Sequence, residues 1–198
     1  MSQPHSLQMT GGFVLLAAWF ALVNGWQPLV TVLGAAAVHE LGHYLALYTF
    51  GARVSGLRLS ALGAVLETDG ARLSYGQELA AVLAGPGVNL LCALGLTAFG
   101  GGRWPALTGA HLVLCVFNLL PVVPLDGGRA LYLAVSWLAG PSAGEAAARW
   151  TGTVFALGLT ALLAYVMRRS GGSLWLLPAA AASGSAALQN LMGRAEFG

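Results

Sequence analysis

Long apolar segments are the feature that most limits what this chain can fold into. Hydrophobic residues make up 57% of its 198 residues, and charged residues only 8%. A soluble domain covers its water-facing surface with about 25% charged residues. A helix of about 20 mostly apolar residues is long enough to cross the hydrocarbon core of a bilayer. The sequence therefore predicts an integral membrane protein, and no basic cluster indicates a nucleic-acid partner.

Six apolar segments are candidates for transmembrane helices. They cover approximately residues 10–24, 28–50, 77–99, 105–120 with a continuation at 126–138, 145–167 and 173–192. The fourth segment is interrupted at "PVVP", because proline cannot continue a regular helix. We therefore expect an all-α, multi-pass membrane protein with about six transmembrane helices.

The segment from Arg53 to Ser74 is too polar to cross a membrane. Within it, "LRLSALGAVLET" alternates apolar and polar residues and contains glycine, a pattern typical of a short β-hairpin. Because unpaired strand edges cannot face lipid, this hairpin between the second and third helices should lie at the interface or pack against the helices.

The arginines indicate an orientation in the membrane. Six spans place both termini on one side, and five arginines lie on that side against three on the other. Cytoplasmic loops carry an excess of basic residues, so we expect cytoplasmic termini in a bacterial cell membrane. The five are Arg53, Arg58, Arg72, Arg149 and Arg194, and the three are Arg103, Arg168 and Arg169.

The second apolar segment contains "HELGH" at residues 39–43. In an H-E-x-x-H helix, His39 and His43 lie one turn apart and can bind one Zn²⁺, while Glu40 is placed to take a proton from zinc-bound water. Chance would produce only about 0.002 such matches in this composition. The alternative is polar packing between helices, but ionisable residues at membrane depth are usually functional.

A catalytic zinc needs a third protein ligand, because it normally binds three side chains and water. His5 and His111 have no second ligand-type residue beside them in the sequence. Asp126 is the better candidate, since it follows two prolines at a depth where irregular backbone must line protein or a water-filled cavity. Asp126 could instead, or in addition, cap the resumed helix. We predict one zinc per chain, held by His39, His43 and Asp126.

Three motifs together resemble the site-2 protease family of intramembrane zinc metalloproteases. They are "HELGH" at 39–43, "NLLPVVPLDGG" at 118–128 and, more weakly, "GPGVN" at 85–89. The compact form, with a short hairpin after the first motif, resembles most the subgroup of stage IV sporulation protein FB. The resemblance covers about residues 28–140.

The resemblance implies the same three zinc ligands and Glu40 as the general base. It also implies that Asn118 binds the substrate backbone or the oxyanion, and that Asn89 is structural or contacts substrate. For each asparagine the alternative is a hydrogen bond between helices. We expect residues 1–198 to form a single membrane metalloprotease domain without the PDZ or CBS domain of many family members.

The expected function is therefore a zinc-dependent intramembrane endopeptidase. Its substrate would be a membrane-embedded or membrane-attached protein in the lipid bilayer, and a regulatory membrane protein could be a further partner. The alternatives are a divalent-metal transporter and an inactive membrane-binding homologue. A transporter would spread polar residues along a path, whereas an inactive homologue would usually have lost Glu40 or a ligand. No residue pattern indicates an oligomeric state.

Overall fold

The computed structural model describes residues 6–60, 63–69, 73–169, 184 and 188. Its helices are α1 (Gly11–Asn24), α2 (Trp26–Thr49), α3 (Tyr75–Phe99), α4 (Pro105–Asn118), α5 (Asp126–Ala139) and α6 (Pro141–Arg169). Its strands are β1 (Ser6–Met9), β2 (Arg53–Ser60) and β3 (Gly63–Asp69). The predicted helical membrane fold is confirmed.

The lengths of these helices distinguish two groups. By length and composition, α2, α3 and α6 can each cross a membrane, whereas α1 and α4 are shorter apolar helices. The interrupted fourth segment forms α4 and α5, with the two prolines of "PVVP" in the connection. The sixth predicted span, at 173–192, falls outside the continuous stretches that the structure describes.

The predicted hairpin is present, as an antiparallel pair that aligns Arg53 with Asp69 and Ser60 with Gly63. Strand β1 adds to the other edge of β2 in parallel, so the sheet order is β1-β2-β3. A four-residue strand is too short to reveal its alternation in a sequence, which is why β1 was not predicted. Strand β2 also packs against α1 and α2, one of the two expected locations of the hairpin.

The chain forms two compact units, residues 1–118 and 119–198. In the first unit, α2 packs against α3 and α4, and α3 packs against α4. In the second unit, α5 packs against α6. Each unit is described by itself below.

Helix α3 has the features that hold the first unit together. It starts with a capping box, in which Ser74 and Gln77 satisfy each other's backbone N–H groups. Small or polar residues then recur every fourth position on one buried face, which lets neighbouring helices approach closely. These residues are Ala81, Gly85, Asn89 and Ala93.

In the second unit, Asp126 is the first residue of α5, and Leu125 occupies the cap position. The alternative that Asp126 is the N-cap is therefore wrong, although a carboxylate in the first turn still interacts favourably with the helix dipole. A side chain at Gly127 would meet the backbone of Leu119 and Leu120. This glycine thus lets the preceding turn fold back against the start of α5.

Candidate metal centre

Helix α2 places two imidazole nitrogens side by side. The Nε2 atoms of His39 and His43 are 3.0 Å apart, and the rings meet edge to face at 81°. Two nitrogen ligands at the usual zinc distance and tetrahedral angle would lie about 3.3 Å apart. The spacing of four residues within one helix thus brings both donor atoms close to the separation that a shared zinc ion requires.

The orientation of His43 is set by helix α3. Its Nδ1–H donates to the carbonyl oxygen of Ala81 at 2.8 Å, because a carbonyl can only accept. In the neutral ring, Nε2 is then the acceptor nitrogen, as metal binding requires. Gly85 lies against the same ring, and a Cβ atom there would overlap the imidazole.

Gly42, inside the H-E-x-x-H motif, has a packing role. It is buried, and a side chain at this position would meet the backbone of Ala84 and Gly85. Helix α3 therefore approaches α2 closely enough to place its carbonyl and its glycine beside His43. The glycines of the two helices, Gly42 on α2 and Gly85 on α3, belong to the same helix–helix contact.

The orientation of His39 depends on two further helices. Its ring is only 5% exposed, and its Nδ1 lies 3.1 Å from Nδ2 of Asn89. Asn89 is fully buried, and its Oδ1 lies 2.9 Å from Nδ1 of His111 on α4. These contacts between helices agree with the structural alternative for Asn89, while a contact with substrate stays a prediction.

The role of His111 was not predicted from the sequence: its side chain is 4% exposed, and its Nδ1 lies beside Oδ1 of Asn89. Its position in an apolar segment could have indicated a role, since an imidazole inside an apolar helix needs a buried partner. Without the packing of α3 against α4, nothing identified that partner.

The remaining predicted residues lie as follows. Glu40 directly follows His39 and is half-buried, as is Asp126 in the first turn of α5. Asn118, at the end of α4, donates from Nδ2 to the carbonyl of Leu114 at 3.0 Å, a bond within its own helix. Its predicted contact with substrate stays a prediction.

His39 and His43 in the first unit, and Asp126 in the second, each offer a donor atom that can bind a metal ion. Two imidazoles and a carboxylate are a common ligand set of zinc in catalytic sites, where a fourth position stays open. The donor chemistry of these residues therefore fits zinc.

Parts of this chain are similar in sequence to known proteins. The family described as Peptidase family M50 matches residues 28–106. Rip3 of Mycobacterium tuberculosis, named as a zinc metalloprotease, is 34% identical over 84% of this chain and 45% of its own length. Stage IV sporulation protein FB of Bacillus subtilis is 28% identical over 62% of this chain and 45% of its own length. The chain thus spans less than half the length of these two relatives.

The fold also matches a solved structure. The site-2 protease from Methanocaldococcus jannaschii superimposes with a TM-score of 0.67, covering 96% of this chain and 91% of that one. The sequence identity over this match is 20%, so the likeness shows a common fold.

Proposed function

We propose that this chain is a zinc-dependent intramembrane endopeptidase of the M50 family of peptidases, whose family model matches residues 28–106. The observation that carries the proposal is the pair of Nε2 atoms of His39 and His43, 3.0 Å apart inside an apolar helix. Ionisable side chains inside an apolar membrane helix are costly to place there, and they usually mark a functional site. Glu40, between them in the sequence, supplies the carboxylate that peptide hydrolysis needs.

We assign one zinc ion to His39, His43 and Asp126. When bound, zinc would supply Lewis acidity, polarising the scissile carbonyl and making water a stronger acid near neutral pH. The hydrogen bond from His43 to Ala81 keeps that ring in the tautomer that can bind metal. Asp126 would contribute a negative charge that offsets part of the charge of the ion.

Glu40 would act as the general base. It is not one of the proposed ligands, so its carboxylate can accept a proton from the attacking water and deliver it to the leaving amine. Its half-buried position beside His39 suits a group that needs limited access to water. Proton transfer of this kind contributes about 10²- to 10⁴-fold to a rate.

The depth of the histidines supports a substrate inside the membrane. His39 lies ten residues before the end of α2 at Thr49, or about 15 Å of helix. A substrate helix at this depth must unwind locally, because its own hydrogen bonds and side chains shield the peptide groups. We infer a single-span or membrane-attached protein as the substrate class, in a bilayer with the termini of this chain on the cytoplasmic side.

The sheet could receive the unwound segment. Both edges of β2 are already paired, one with β1 and the other with β3. Of the two hairpin strands, β3 therefore offers the outer edge to which an extended substrate could add as a further strand. Replacing the β3 sequence with a scrambled one should lower cleavage of an intramembrane substrate, and full cleavage by that variant would contradict this step.

The test of the proposed function is the substitution Glu40→Gln, compared with Glu145→Gln on the exposed start of α6. Both purified variants, in proteoliposomes with a single-span substrate, are assayed for zinc content and cleavage on the same preparation. We expect Glu40→Gln to keep zinc and lose detectable cleavage, and Glu145→Gln to match the unchanged protein.

Other results of this experiment would contradict the role assigned to Glu40 or favour a transporter. Retained cleavage would remove Glu40 as the base, and loss of zinc together with cleavage would make it a ligand. A transporter would move zinc across the vesicle membrane at a similar rate in both variants, because glutamine leaves all three proposed ligands in place.

A further inference from the structure

Four hydrogen bonds connect helices α2, α3 and α4 in one continuous chain. They join the Ala81 carbonyl to His43, His43 to His39, His39 to Asn89, and Asn89 to His111. Three of them cross between helices. Two of the three proposed metal ligands, His43 and His39, lie within this chain, and His111 lies at its far end.

If all three imidazole rings are neutral, the bond between Ala81 and His43 determines which atom donates in each of the other hydrogen bonds. The carbonyl of Ala81 can only accept, so His43 carries its proton on Nδ1 and accepts at Nε2. His39 must then donate from Nε2 and accept at Nδ1 from the Nδ2–H of Asn89. The amide oxygen Oδ1 of Asn89 then accepts from Nδ1–H of His111. Each group thus uses the atom that its neighbour requires.

These hydrogen bonds place the ring proton of His43 where it permits metal binding through Nε2, but they place the ring proton of His39 where it prevents such binding. Zinc binds a nitrogen that carries no proton. His43 already offers Nε2 in that form, whereas His39 has its proton on Nε2. A neutral His39 can bind zinc through Nε2 only if its proton resides on Nδ1. Nδ1 must then donate, and the Asn89 atom facing it must be the amide oxygen.

We propose that zinc binding reverses the His39–Asn89–His111 half of the chain, with His111 as a positioning residue. The amide of Asn89 exchanges its two ends, so that Oδ1 accepts from His39 and Nδ2–H donates to His111. His111 then accepts at Nδ1 and carries its proton on Nε2. Each ring keeps one proton, which moves from one nitrogen to the other through water. His111 can complete both states because the same nitrogen of an imidazole can donate or accept.

The inference rests on the proposed function only in taking His39 as a zinc ligand through Nε2. It adds that a residue remote from the metal changes tautomer when the metal binds. Groups that orient metal-binding histidines typically contribute 10- to 100-fold to metal affinity. A residue that only filled space on α4 would change neither its tautomer nor the zinc affinity.

The direct test is nitrogen NMR of the full chain in detergent, with ¹⁵N-labelled histidine, before and after addition of zinc. The His111 signals are assigned by their loss in His111→Asn. We expect the protonated nitrogen of His111 to change from Nδ1 to Nε2 on zinc binding, while His43 keeps its proton on Nδ1. A His111 pattern that stays unchanged in a chain that has bound one zinc through His39 would overturn the inference alone. A chain that binds no zinc would overturn both the inference and the proposed function.

Substitutions provide a second measurement, the dissociation constant of zinc. His111→Phe removes the hydrogen bond and should weaken zinc binding about 10- to 100-fold. His111→Asn, whose amide lies near the position of Nδ1 and can donate or accept, should restore most of that affinity. The matched control is Cys115→Ala, a buried position one turn further along α4, which should leave zinc affinity unchanged. Equal zinc affinity in His111→Phe and the unchanged protein would contradict the proposed role.

The substitution Asn89→Asp should fix His39 in one of its two tautomers. A carboxylate accepts from both neighbours, so His39 and His111 should both carry their protons on Nδ1 whether or not zinc is present. We expect this variant to bind zinc at least as tightly as the unchanged protein, with no change of tautomer at His111. Asn89→Leu, which can neither donate nor accept, should weaken zinc binding about 10- to 100-fold. Zinc binding by Asn89→Leu as tight as in the unchanged protein would contradict the inference.

Discussion

The helices of the first unit (residues 1–118) and of the second (residues 119–198) use glycine for close packing, but the space it leaves is filled differently. In the first unit, Gly85 leaves room for the imidazole of His43. In the second, Gly144 leaves room for the hydroxyl of Ser136 and a backbone carbonyl. The same packing device therefore positions a reactive side chain in one unit and brings two helices together in the other.

Buried polar residues show the same contrast. In the first unit, His39, Asn89 and His111 are bonded to one another across three helices. In the second unit, Thr153 is also buried, but its hydroxyl donates to the carbonyl of Arg149 in its own helix. A network between helices is costly to bury unless each member is satisfied, and a fully satisfied network holds the helices that carry it firmly together. The first unit thus has the rigidity that a metal site needs.

The largest effect is expected from substituting the proposed zinc ligands, which tests whether only residues of the first unit bind zinc. His39→Ala, His43→Ala and Asp126→Ala should each lose most of the zinc and all cleavage, because each removes a proposed ligand of one ion. Zinc per chain and proteolysis are measured on the same purified sample. Thr153→Val is the control and should keep both. If Asp126→Ala keeps full zinc and cleaves normally, the third ligand is assigned wrongly and the chemistry is confined to the first unit.

The next effect contrasts the two glycines. Gly85→Ala should displace the ring of His43 and weaken zinc binding by about 10- to 100-fold, as expected for a residue that orients a ligand. Gly144→Ala should lower the melting temperature through overpacking, with zinc affinity unchanged in the folded protein. Zinc titration and thermal melting in detergent separate these results. Equal zinc affinity in both variants would remove the contrast between the two packing contacts.

A smaller effect is expected at Asn118, whose visible hydrogen bond is local. Asn118→Ala should keep zinc and lower cleavage by about 10²-fold if the amide binds the oxyanion, since a donor of that kind contributes about 10²- to 10³-fold. The matched control is Asn24→Ala, because Asn24 also donates to a carbonyl four residues earlier, in α1. Unchanged cleavage in both variants would leave Asn118 with a purely structural role.

The smallest effect concerns Arg129, near the start of α5. It is exposed, and a long side chain there can extend its charge toward the interface. Arg129→Ala should therefore change stability by less than about 0.5 kcal/mol, as is usual for exposed positions. A large drop in the detergent melting temperature would instead indicate that Arg129 has a buried carboxylate partner.

The structure agrees with the sequence where the pattern is local. Within the described residues the apolar segments form helices and the alternating segment forms a hairpin. His39 and His43 come together because a helix brings residues four apart onto one face. The short strand β1 and the position of Leu125 as the residue before α5 were not predicted. Both depend on small differences in backbone pairing at segment ends, where residue patterns contain little information.

By itself, the sequence determined the membrane class, the H-E-x-x-H motif and the candidate base, because composition and helical spacing act over a few residues. Only the tertiary structure decided how the histidines are oriented. Asn89 and His111 are 22 residues apart, and Asn89 lies 50 residues from His39. Their contacts exist because small residues let α2, α3 and α4 pack closely, and a buried amide must then find partners on whichever helices surround it. Which polar groups meet is a property of that packing, and no residue pattern within one helix contains it.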